Sequence, residues 1–260
     1  MMEHLKGRPV SIVRAPEGIA GQLFFQKHSE RADMPGIKKL DPQLDADHAP
    51  LLEVVKPEGL LSAAQMNVIE FHTWNAVKTN IDKPDRMTFD LDPGEGVAWP
   101  QIQESATLIR AFLTEFQLVS FLKTSGGIGL HIVVPVKRLY GRDTVKEFSH
   151  AIVQHVAATL PQRFVAKSGP TNRHGKIFID YLRNGFGATT AAAWSARARS
   201  GMGVSVPIDW AELDTLSSSA QWTVRNIQQR LAIGNEPWNA YSRSAQKLSV
   251  AMQILGFKRI

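Results

Sequence analysis

The chain has 260 residues, of which 43% are hydrophobic and 21% are charged, and its formal net charge is +6. This composition supplies a large apolar core and excludes disordered, collagen-like and coiled-coil classes. The chain has no cysteine, which excludes disulfides, thiolate nucleophiles and zinc–thiolate sites. No apolar run approaches the ~18 residues that cross a bilayer, and the charged residues 1–10 lack the apolar stretch of a signal peptide. We therefore expect a cytoplasmic protein without membrane contact.

Short runs rich in β-formers alternate with helical patterns along the chain. Strands are predicted at residues 9–14, 22–26, 68–72, 87–92, 119–123, 130–136 and 176–181. Helices are predicted at residues 59–67, 99–116, 142–160, 210–216, 221–231 and 238–255. Proline and glycine clusters separate the strands. The pattern predicts an α+β fold with a mostly antiparallel central sheet, and residues 1–260 are expected to form one domain.

Positive charge is concentrated in one stretch of the sequence. Residues 163–199 hold seven lysines and arginines but one acid, Asp180, so this stretch alone accounts for the net charge of +6. Such a local excess is typical of a surface that binds a polyanion such as nucleic acid. A solvated basic face is the alternative interpretation.

Two aspartates, Asp90 and Asp92, are separated by one residue at the end of a predicted strand. Side chains two positions apart on a strand lie on the same face, so the two carboxylates project together and repel each other. A divalent cation removes this repulsion, and carboxylate oxygen suits Mg²⁺ or Mn²⁺. The alternative is an exposed strand end before a Pro-Gly turn, where aspartate is common.

Asp180 ends another apolar strand, inside the basic stretch. The structural interpretation is an ion pair with a neighbour such as Arg183. The functional interpretation is a third metal ligand, because three carboxylates on neighbouring strands can hold two cations about 3.5–4 Å apart for nucleotidyl displacement.

A glycine-rich turn, KTSGGIGLH, connects two predicted strands at residues 123–131. Gly126 and Gly127 allow backbone N–H groups to approach an anion closely. Ser125 and His131 can donate hydrogen bonds to a phosphate. The alternative is an ordinary glycine hairpin with a surface histidine. Together with the three aspartates, however, the loop favours metal-dependent nucleotide chemistry.

In this order, the segments DLDPG, SGGxGLH and FIDYLRN resemble the polymerase domain of bacterial DNA ligase D, which belongs to the archaeo-eukaryotic primase superfamily. The segments RPV, FFQKH and IEFHTWN agree, and the resemblance covers nearly the whole chain. It implies a primase-type catalytic core with two mostly antiparallel β-sheet layers flanked by helices. It also implies an enzyme that adds ribo- or deoxynucleotides to a DNA 3′ end, with or without a template.

The resemblance further implies a biological setting and partners. The setting is repair of double-strand breaks by non-homologous end joining. The substrates are DNA ends and nucleoside or deoxynucleoside triphosphates. The protein partners are Ku and the ligase and phosphoesterase domains of the family.

The resemblance also implies residue roles. Two divalent cations, Mn²⁺ or Mg²⁺, would be held by the catalytic residues Asp90, Asp92 and Asp180. The incoming nucleotide would be bound by His72, Lys123, Ser125, Gly126, Gly127, His131 and Arg197. The DNA end would be contacted by Phe24, Phe25, Lys27, Arg173 and Lys176.

Two departures from the family pattern accompany these matches, and the lysine motif of adenylating ligases is absent as well. Ile128 stands where the family usually has a lysine, so one phosphate or ribose contact is expected to be missing. The chain begins almost at the RPV motif, so the family's N-terminal segment, whose lysines help to grip a downstream 5′-phosphate, is either missing or outside this sequence, and the property at stake is the preference for gapped, 5′-phosphorylated DNA. The sequence has no K-x-D-G motif, so no nick sealing is expected.

Two other functions stay open at this point. The DLDPG segment is also compatible with the nucleophile of a haloacid-dehalogenase-type phosphatase, although Asp90 lies deep in the chain and no Asp-Asp pair follows it. A non-catalytic DNA-end-binding module is the third hypothesis, which Ile128 and the short N-terminus favour. The polymerase is the preferred prediction.

Overall fold

The structure is a computed structural model that describes residues 1–28 and 34–258. Its strands are β1 (Val10–Arg14), β2 (Phe24–Gln26), β3 (Ile37–Lys39), β4 (Leu52–Val54), β5 (Val68–Thr73), β6 (Arg86–Pro93), β7 (Phe121–Thr124), β8 (Leu130–Pro135), β9 (Phe164–Val165), β10 (Ile177–Asp180), β11 (Thr190–Ala191) and β12 (Pro207–Ile208). Its α-helices are α1 (Met2–Leu5), α2 (Glu58–Gln65), α3 (Trp99–Glu115), α4 (Arg142–Thr159), α5 (Gln228–Leu231) and α6 (Ser249–Ile254). Short 3₁₀ helices lie at Pro42–Asp45, Lys78–Asn80, Pro170–Asn172, Leu182–Asn184, Trp210–Thr215, Glu236–Trp238 and Ser242–Ser244.

In the described residues, the strands form two six-stranded sheets. The first has the order β11–β5–β1–β4–β3, with β2 added to β1, and the second has the order β12–β7–β8–β6–β10–β9. Among these strands, β10 pairs with β9 in parallel and all other pairs are antiparallel. The predicted α+β fold with two mostly antiparallel sheets is confirmed.

The larger hydrophobic core lies against one face of the second sheet. Strand β6 contributes buried side chains to this core at alternate positions, namely Met87, Phe89 and Leu91. Helices α3 and α4 cover the same face with buried side chains such as Ile109 and Phe148. Full burial of such a side chain contributes about 1.5–3 kcal/mol. Because strand side chains alternate, the opposite face of β6 presents Arg86, Thr88, Asp90 and Asp92.

Polar side chains connect the two sheets on the side away from this core. Arg86 of β6 donates to Thr73 Oγ1 of β5 at 2.7 Å and to the carbonyl of Trp74 at 2.9 Å. Lys123 of β7 donates to the carbonyl of Ala191 on β11 at 2.9 Å. Buried polar groups that are fully hydrogen-bonded fix the geometry of the elements that carry them. The polar face of β6 is therefore held at a defined position beside the first sheet.

The predicted long elements are present, but several short ones differ. Each predicted strand overlaps an observed strand, and the helices predicted at 59–67, 99–116 and 142–160 are confirmed as α2, α3 and α4. The structure adds α1 and the short strands β3, β4, β9, β11 and β12. The helix predicted at 210–216 is a 3₁₀ helix over Trp210–Thr215.

The helices predicted at 221–231 and 238–255 are wrong over most of their length. Their α-helical parts are α5 and α6, which lie at the C-terminal ends of the two ranges. In the first range, Asn226 Oδ1 accepts from the backbone N of Thr223 at 2.6 Å, a local bond that competes with the helix. In the range 238–255, Gln246 Oε1 accepts from the backbone N of Val119 at 3.0 Å, and Gln246 Nε2 donates to the carbonyl of Val119 at 2.8 Å. In the described residues, every helix is too short or too polar to span a membrane.

Candidate active site

A row of polar side chains crosses the second sheet. The strand register pairs Lys123 of β7 with His131 of β8, and His131 with Asp90 of β6. Asp90 in turn pairs with Asp180 of β10. Directly paired residues project to the same face, so these four side chains lie side by side across four strands. Asp92 lies on the same face, two residues beyond Asp90. The structure thus brings together the three aspartates that are predicted as metal ligands.

Two arginines lie among the three aspartates. Arg183 Nε is 3.0 Å from Asp180 Oδ2 and 3.4 Å from Asp90 Oδ2. Arg173 forms an ion pair with Asp92 through Nη1. Among the described residues, the three aspartates are not a group whose ligand oxygens all lie within 4.8 Å of one another. A cation shared by all three therefore requires the carboxylate oxygens to lie closer together than they do in this structure.

The two paired aspartates have opposite pKa shifts. Burial disfavours ionisation of Asp90, but His131, Arg183 and Lys123 hold its pKa well below the ordinary value. Burial raises the pKa of Asp180; Arg183 opposes this shift, and Asp90 adds to it. The neighbouring cationic and donor groups therefore offset the cost of burying the Asp90 charge in full, but they offset that of the Asp180 charge only in part. Such an imbalance is typical of a site that gains a cation in its working state.

His131 is held between Lys123 and Asp90. Lys123 Nζ lies 2.6 Å from His131 Nδ1 and also donates to Ser205 Oγ at 2.8 Å. His131 Nε2 lies 3.3 Å from Asp90 Oδ1. This network assigns the ring proton to Nε2, because a carboxylate accepts and cannot donate. Burial and the Lys123 charge lower the pKa of His131 to about 4, so the ring is a neutral donor near pH 7.

Lys123 has all three of its hydrogens committed inside the protein. Ser205 Oγ donates its own hydrogen to the carbonyl of Thr124 at 2.7 Å, so it accepts from Lys123. The carbonyl of Ala191 also accepts from Lys123, and His131 Nδ1 accepts because Nε2 carries the ring proton. Three accepting partners require an ammonium group, although burial lowers the pKa of Lys123. Direct nucleotide binding by Lys123 stays a prediction, and the geometry favours a role in orienting His131.

Glu70 of β5 is a residue that the sequence analysis missed. Its Oε2 accepts from His72 Nε2 at 2.6 Å and from Arg197 Nε at 2.9 Å, and its Oε1 accepts from the backbone N of Ala198 at 2.7 Å. Burial opposes ionisation, yet His72 and Arg197 lower the pKa of Glu70 to about 2. Arg197 Nη1 also donates to the carbonyl of Ser125 at 3.0 Å. One carboxylate therefore holds two predicted nucleotide-binding side chains beside the glycine loop.

The glycine loop is closely packed against its neighbours. Gly126 has a φ of +69°, in the left-handed region that favours glycine. A Cβ on Gly129 would lie 1.9 Å from the carbonyl oxygen of Leu91, so only glycine fits there. Ser125 Oγ accepts from the backbone N of Gly127 at 3.1 Å. The predicted residues Ser125, Gly126 and Gly127 thus form one compact turn at the end of the polar row.

The predicted DNA-contacting aromatic residues are exposed next to His72. Phe24 and Phe25 of β2 are 45% and 51% exposed. The ring of Phe25 makes an edge contact with the ring of His72, with centroids 5.7 Å apart. Lys27 Nζ donates to the carbonyl of Gly187 at 3.0 Å. Because consecutive strand residues project to opposite faces, the two rings do not form one surface; Phe25, on the His72 side, offers an exposed ring of the kind on which nucleic-acid bases stack.

Fewer cations of the basic stretch, residues 163–199, are available to bind DNA than its sequence suggests. Among the described residues, four of its seven cations pair with carboxylates, namely Arg163 with Glu104, Arg173 with Asp92, Arg183 with Asp180 and Asp90, and Arg197 with Glu70. The backbone of Lys176 lies next to the end of β6, the strand that carries Asp90 and Asp92, since the Lys176 carbonyl accepts from the backbone N of Gly94 at 2.9 Å. Three of these arginines therefore neutralise carboxylates of the candidate site.

A family model described as "LigD, primase-polymerase domain" matches residues 1–238. The chain belongs to this family. It is 51% identical over 255 residues to "Multifunctional non-homologous end joining protein LigD" of Pseudomonas aeruginosa, a match that covers 97% of this chain and 30% of that protein. It is 23% identical over 248 residues to "Bifunctional non-homologous end joining protein LigD" of Bacillus subtilis, covering 95% of this chain and 40% of that protein.

The fold is also similar to a solved structure, the polymerase domain of Mycobacterium tuberculosis ligase D in complex with DNA. The TM-score is 0.80 and the sequence identity is 26%, over 95% of this chain and 88% of that chain. A primase-polymerase domain is a nucleotidyltransferase that uses divalent cations, so the chain is an enzyme of this class. The predicted family and enzyme class are confirmed, and the phosphatase and the non-catalytic module are not favoured.

Proposed function

We propose that this chain adds ribo- or deoxynucleotides to DNA 3′ ends, with or without a template, during non-homologous end joining. The observation that carries the proposal is the convergence of Asp90, Asp92 and Asp180 on one face of the second sheet, next to His131. Residues 1–260 act as one catalytic domain, with Ku and the ligase and phosphoesterase domains as partners in the bacterial cytoplasm.

The three aspartates suit two divalent cations, Mn²⁺ or Mg²⁺. Their donor set consists of carboxylate oxygen, which these ions prefer. The raised pKa of Asp180 supports the fit, because it reflects negative charge that Arg183 leaves uncompensated. When bound, the cations supply positive charge that favours loss of the primer 3′-hydroxyl proton and offsets charge on the departing pyrophosphate.

The triphosphate lies between the glycine loop and the Glu70 carboxylate in this proposal. His131 offers its Nε2 hydrogen from the row beside Asp90, and Arg197 offers a guanidinium held by Glu70. The backbone N–H of Gly126 adds a donor for phosphate oxygens, whereas that of Gly127 already donates to Ser125 Oγ. Fixed donors of this kind position the phosphates without reorganisation during the reaction.

The DNA end lies beside β2 in this proposal, where Phe25 and, from the opposite face of the strand, Phe24 are exposed. Stacking on an aromatic ring contributes about 1–3 kcal/mol per base and tolerates any sequence, which suits broken ends of arbitrary sequence. Lys27 and Lys176 attract the backbone phosphates. Arg173 belongs to this group too, since release from Asp92 on cation binding frees its guanidinium for the primer end.

A primer-extension assay with Asp180→Asn tests the proposal. The variant keeps the size of the side chain but removes its charge, so we expect no extension with Mn²⁺ or Mg²⁺ and an unchanged circular dichroism spectrum. Asp82→Asn is the matched control, because Asp82 is a 70% exposed aspartate that also pairs with an arginine. The control should extend the primer at the wild-type rate. Extension by Asp180→Asn at that rate would overturn the proposed site.

A further inference from the structure

A second group of metal-ligating side chains lies outside the aspartate row. His28 directly follows the segment that carries Phe24 and Phe25, whereas Asp45 ends a 3₁₀ helix and His48 lies one turn later. Among the described residues, these three form the group of histidine and carboxylate side chains whose ligand atoms all lie within 4.8 Å of one another. The polymerase chemistry proposed above uses none of them.

Two hydrogen bonds already hold the three side chains of this group together at nearly the spacing of metal ligands. His28 Nε2 is 3.0 Å from Asp45 Oδ2, and His48 Nδ1 is 2.9 Å from Asp45 Oδ1. Ligands at about 2.0–2.1 Å from a tetrahedral Zn²⁺ are about 3.3 Å apart. The two imidazole rings are also stacked, with an interplanar angle of 9° and centroids 5.0 Å apart, and each presents one nitrogen to the Asp45 carboxylate. The ligand atoms of all three residues lie within 4.8 Å of one another, a spacing from which they can converge on one ion.

The donor set differs in kind from that of the catalytic aspartates. Two imidazole nitrogens and one carboxylate oxygen suit borderline transition metals such as Zn²⁺, whereas Mg²⁺ prefers oxygen ligands. The side chain of Asp45 is 12% exposed and that of His28 is 22% exposed, while His48 is 59% exposed and can admit an ion from solvent. Each ring needs only to move its hydrogen from the ligating nitrogen to the other nitrogen.

We propose that His28, Asp45 and His48 bind one Zn²⁺-class ion, with the remaining position open to water. His28 and Asp45 are 17 residues apart in the sequence, so the ion would cross-link the segment after β2 to the 3₁₀ helix. His28 also forms an isolated bridge with Leu51, which places this segment beside the approach to β4. The ion is therefore a clamp on the hairpin that presents the exposed phenylalanines.

Zinc binding to the metal-free chain in excess Mg²⁺ tests this proposal, because Mg²⁺ occupies the aspartate site. We expect the wild type to bind one equivalent of Zn²⁺ by calorimetry, and Co²⁺ to give the visible absorption of a site with nitrogen ligands. His48→Ala removes an exposed ligand without disturbing the core, and it should weaken Zn²⁺ affinity by at least about 100-fold. Asp92→Asn should bind Zn²⁺ as the wild type does.

The control variant is His174→Ala, which removes an exposed histidine outside the group. It should keep wild-type Zn²⁺ affinity, and all variants should have the same melting temperature without metal. Failure of the wild type to bind Zn²⁺ in excess Mg²⁺ would overturn the clamp and leave a hydrogen-bonded His–Asp–His group. Equal Zn²⁺ affinity of His48→Ala and wild type would overturn it too. Neither result would affect the proposed polymerase, because the assay measures metal binding alone.

Discussion

The Glu70 carboxylate illustrates how one buried residue determines the positions of several others. It accepts hydrogen bonds from His72, Arg197 and the backbone of Ala198, and its side chain is 7% exposed. Removing one member of a buried charged group leaves the others unpaired, which costs more than the pair contributes. Glu70 is therefore essential to the arrangement although it carries out no chemistry itself.

Glu70→Gln should lower both stability and nucleotide affinity. A pKa lowered from 4.5 to about 2 corresponds to about 3 kcal/mol of stability. Because the folded-state pKa is depressed, this contribution is fully present above pH 4.5 and is lost as the pH falls towards 2. Urea unfolding of wild type and variant across this range should show a free-energy difference that shrinks in acid. In primer extension, KM for the nucleotide should rise more than kcat falls.

Glu104→Gln is the matched control for this experiment. Glu104 also pairs with an arginine, Arg163, but its side chain is 54% exposed. Exposed ion pairs contribute about 0–1 kcal/mol, so this variant should behave as the wild type at every pH. A pH-independent difference between wild type and Glu70→Gln would contradict the assigned ionisation of Glu70.

Lys123→Met should affect catalysis through His131. The variant removes a positive charge next to the ring, so in metal-free protein the NMR-measured pKa of His131 should rise from about 4 towards its ordinary value. It also leaves the Ala191 carbonyl and Ser205 Oγ without their donor, which costs about 1–3 kcal/mol per group. We expect kcat to fall more than KM rises.

Lys38→Met serves as the control, since Lys38 is an exposed lysine on β3. It should change neither the pKa of His131 nor kcat. An unchanged pKa of His131 in Lys123→Met would show that Lys123 does not orient the ring. A rise in KM alone would instead indicate that Lys123 binds the nucleotide directly.

At the scale of elements, the contact between the glycine loop and β6 sets the position of the aspartates. Gly129 approaches the Leu91 carbonyl, and Leu91 lies between Asp90 and Asp92. In Gly129→Ala the new Cβ would meet this oxygen at 1.9 Å, so β6 and β8 must separate. We expect a loss of at least about 1–3 kcal/mol in denaturant unfolding, together with reduced nucleotide addition.

Gly141→Ala provides the comparison, because a Cβ at Gly141 meets nothing within 4 Å and its φ is −64°. This variant should unfold within about 0.5 kcal/mol of wild type. If Gly129→Ala were as stable and as active as Gly141→Ala, the close approach would not position the aspartates.

Sequence periodicity predicted the long elements but not the short ones. The alternation of apolar and polar residues in β6 predicted both its core-facing side and the common face of Asp90 and Asp92, because such a pattern depends only on neighbouring residues of one strand. Strands β9, β11 and β12 have two residues each, too few for any period to show. The helix predicted at 238–255 failed because the contacts of Gln246 with Val119 are long-range.

The site was predictable in part for the same reason. The order of motifs identified the family, and with it the three aspartates. The pairing of Asp90 with Asp180 depends on strand register, which no single segment encodes. The roles of Glu70 and Lys123 depend on which acceptors surround them after folding. A buried acid alternating with His72 on one strand is the signal that would have indicated Glu70.

Across the whole molecule, internal ion pairs redistribute the positive charge without changing its total. The net charge stays at +6, although four cations of the basic stretch pair with carboxylates, three of them in the candidate site. A long-range attraction for DNA depends on the total charge and its distribution, whereas direct phosphate contacts need free side chains. The candidates for such contacts therefore include Lys176 and Lys27 rather than the whole stretch.

Salt dependence of DNA affinity separates these contributions. The logarithm of the association constant should fall linearly with the logarithm of salt concentration, by about 0.9 per phosphate neutralised. Lys176→Gln should make this slope shallower by about 1, since it removes one phosphate contact. Phe25→Ala should weaken binding by about 1–3 kcal/mol at every salt concentration and leave the slope unchanged, because stacking releases no counterions. A salt-independent wild type, or a shallower slope in Phe25→Ala, would contradict this division between charge and stacking.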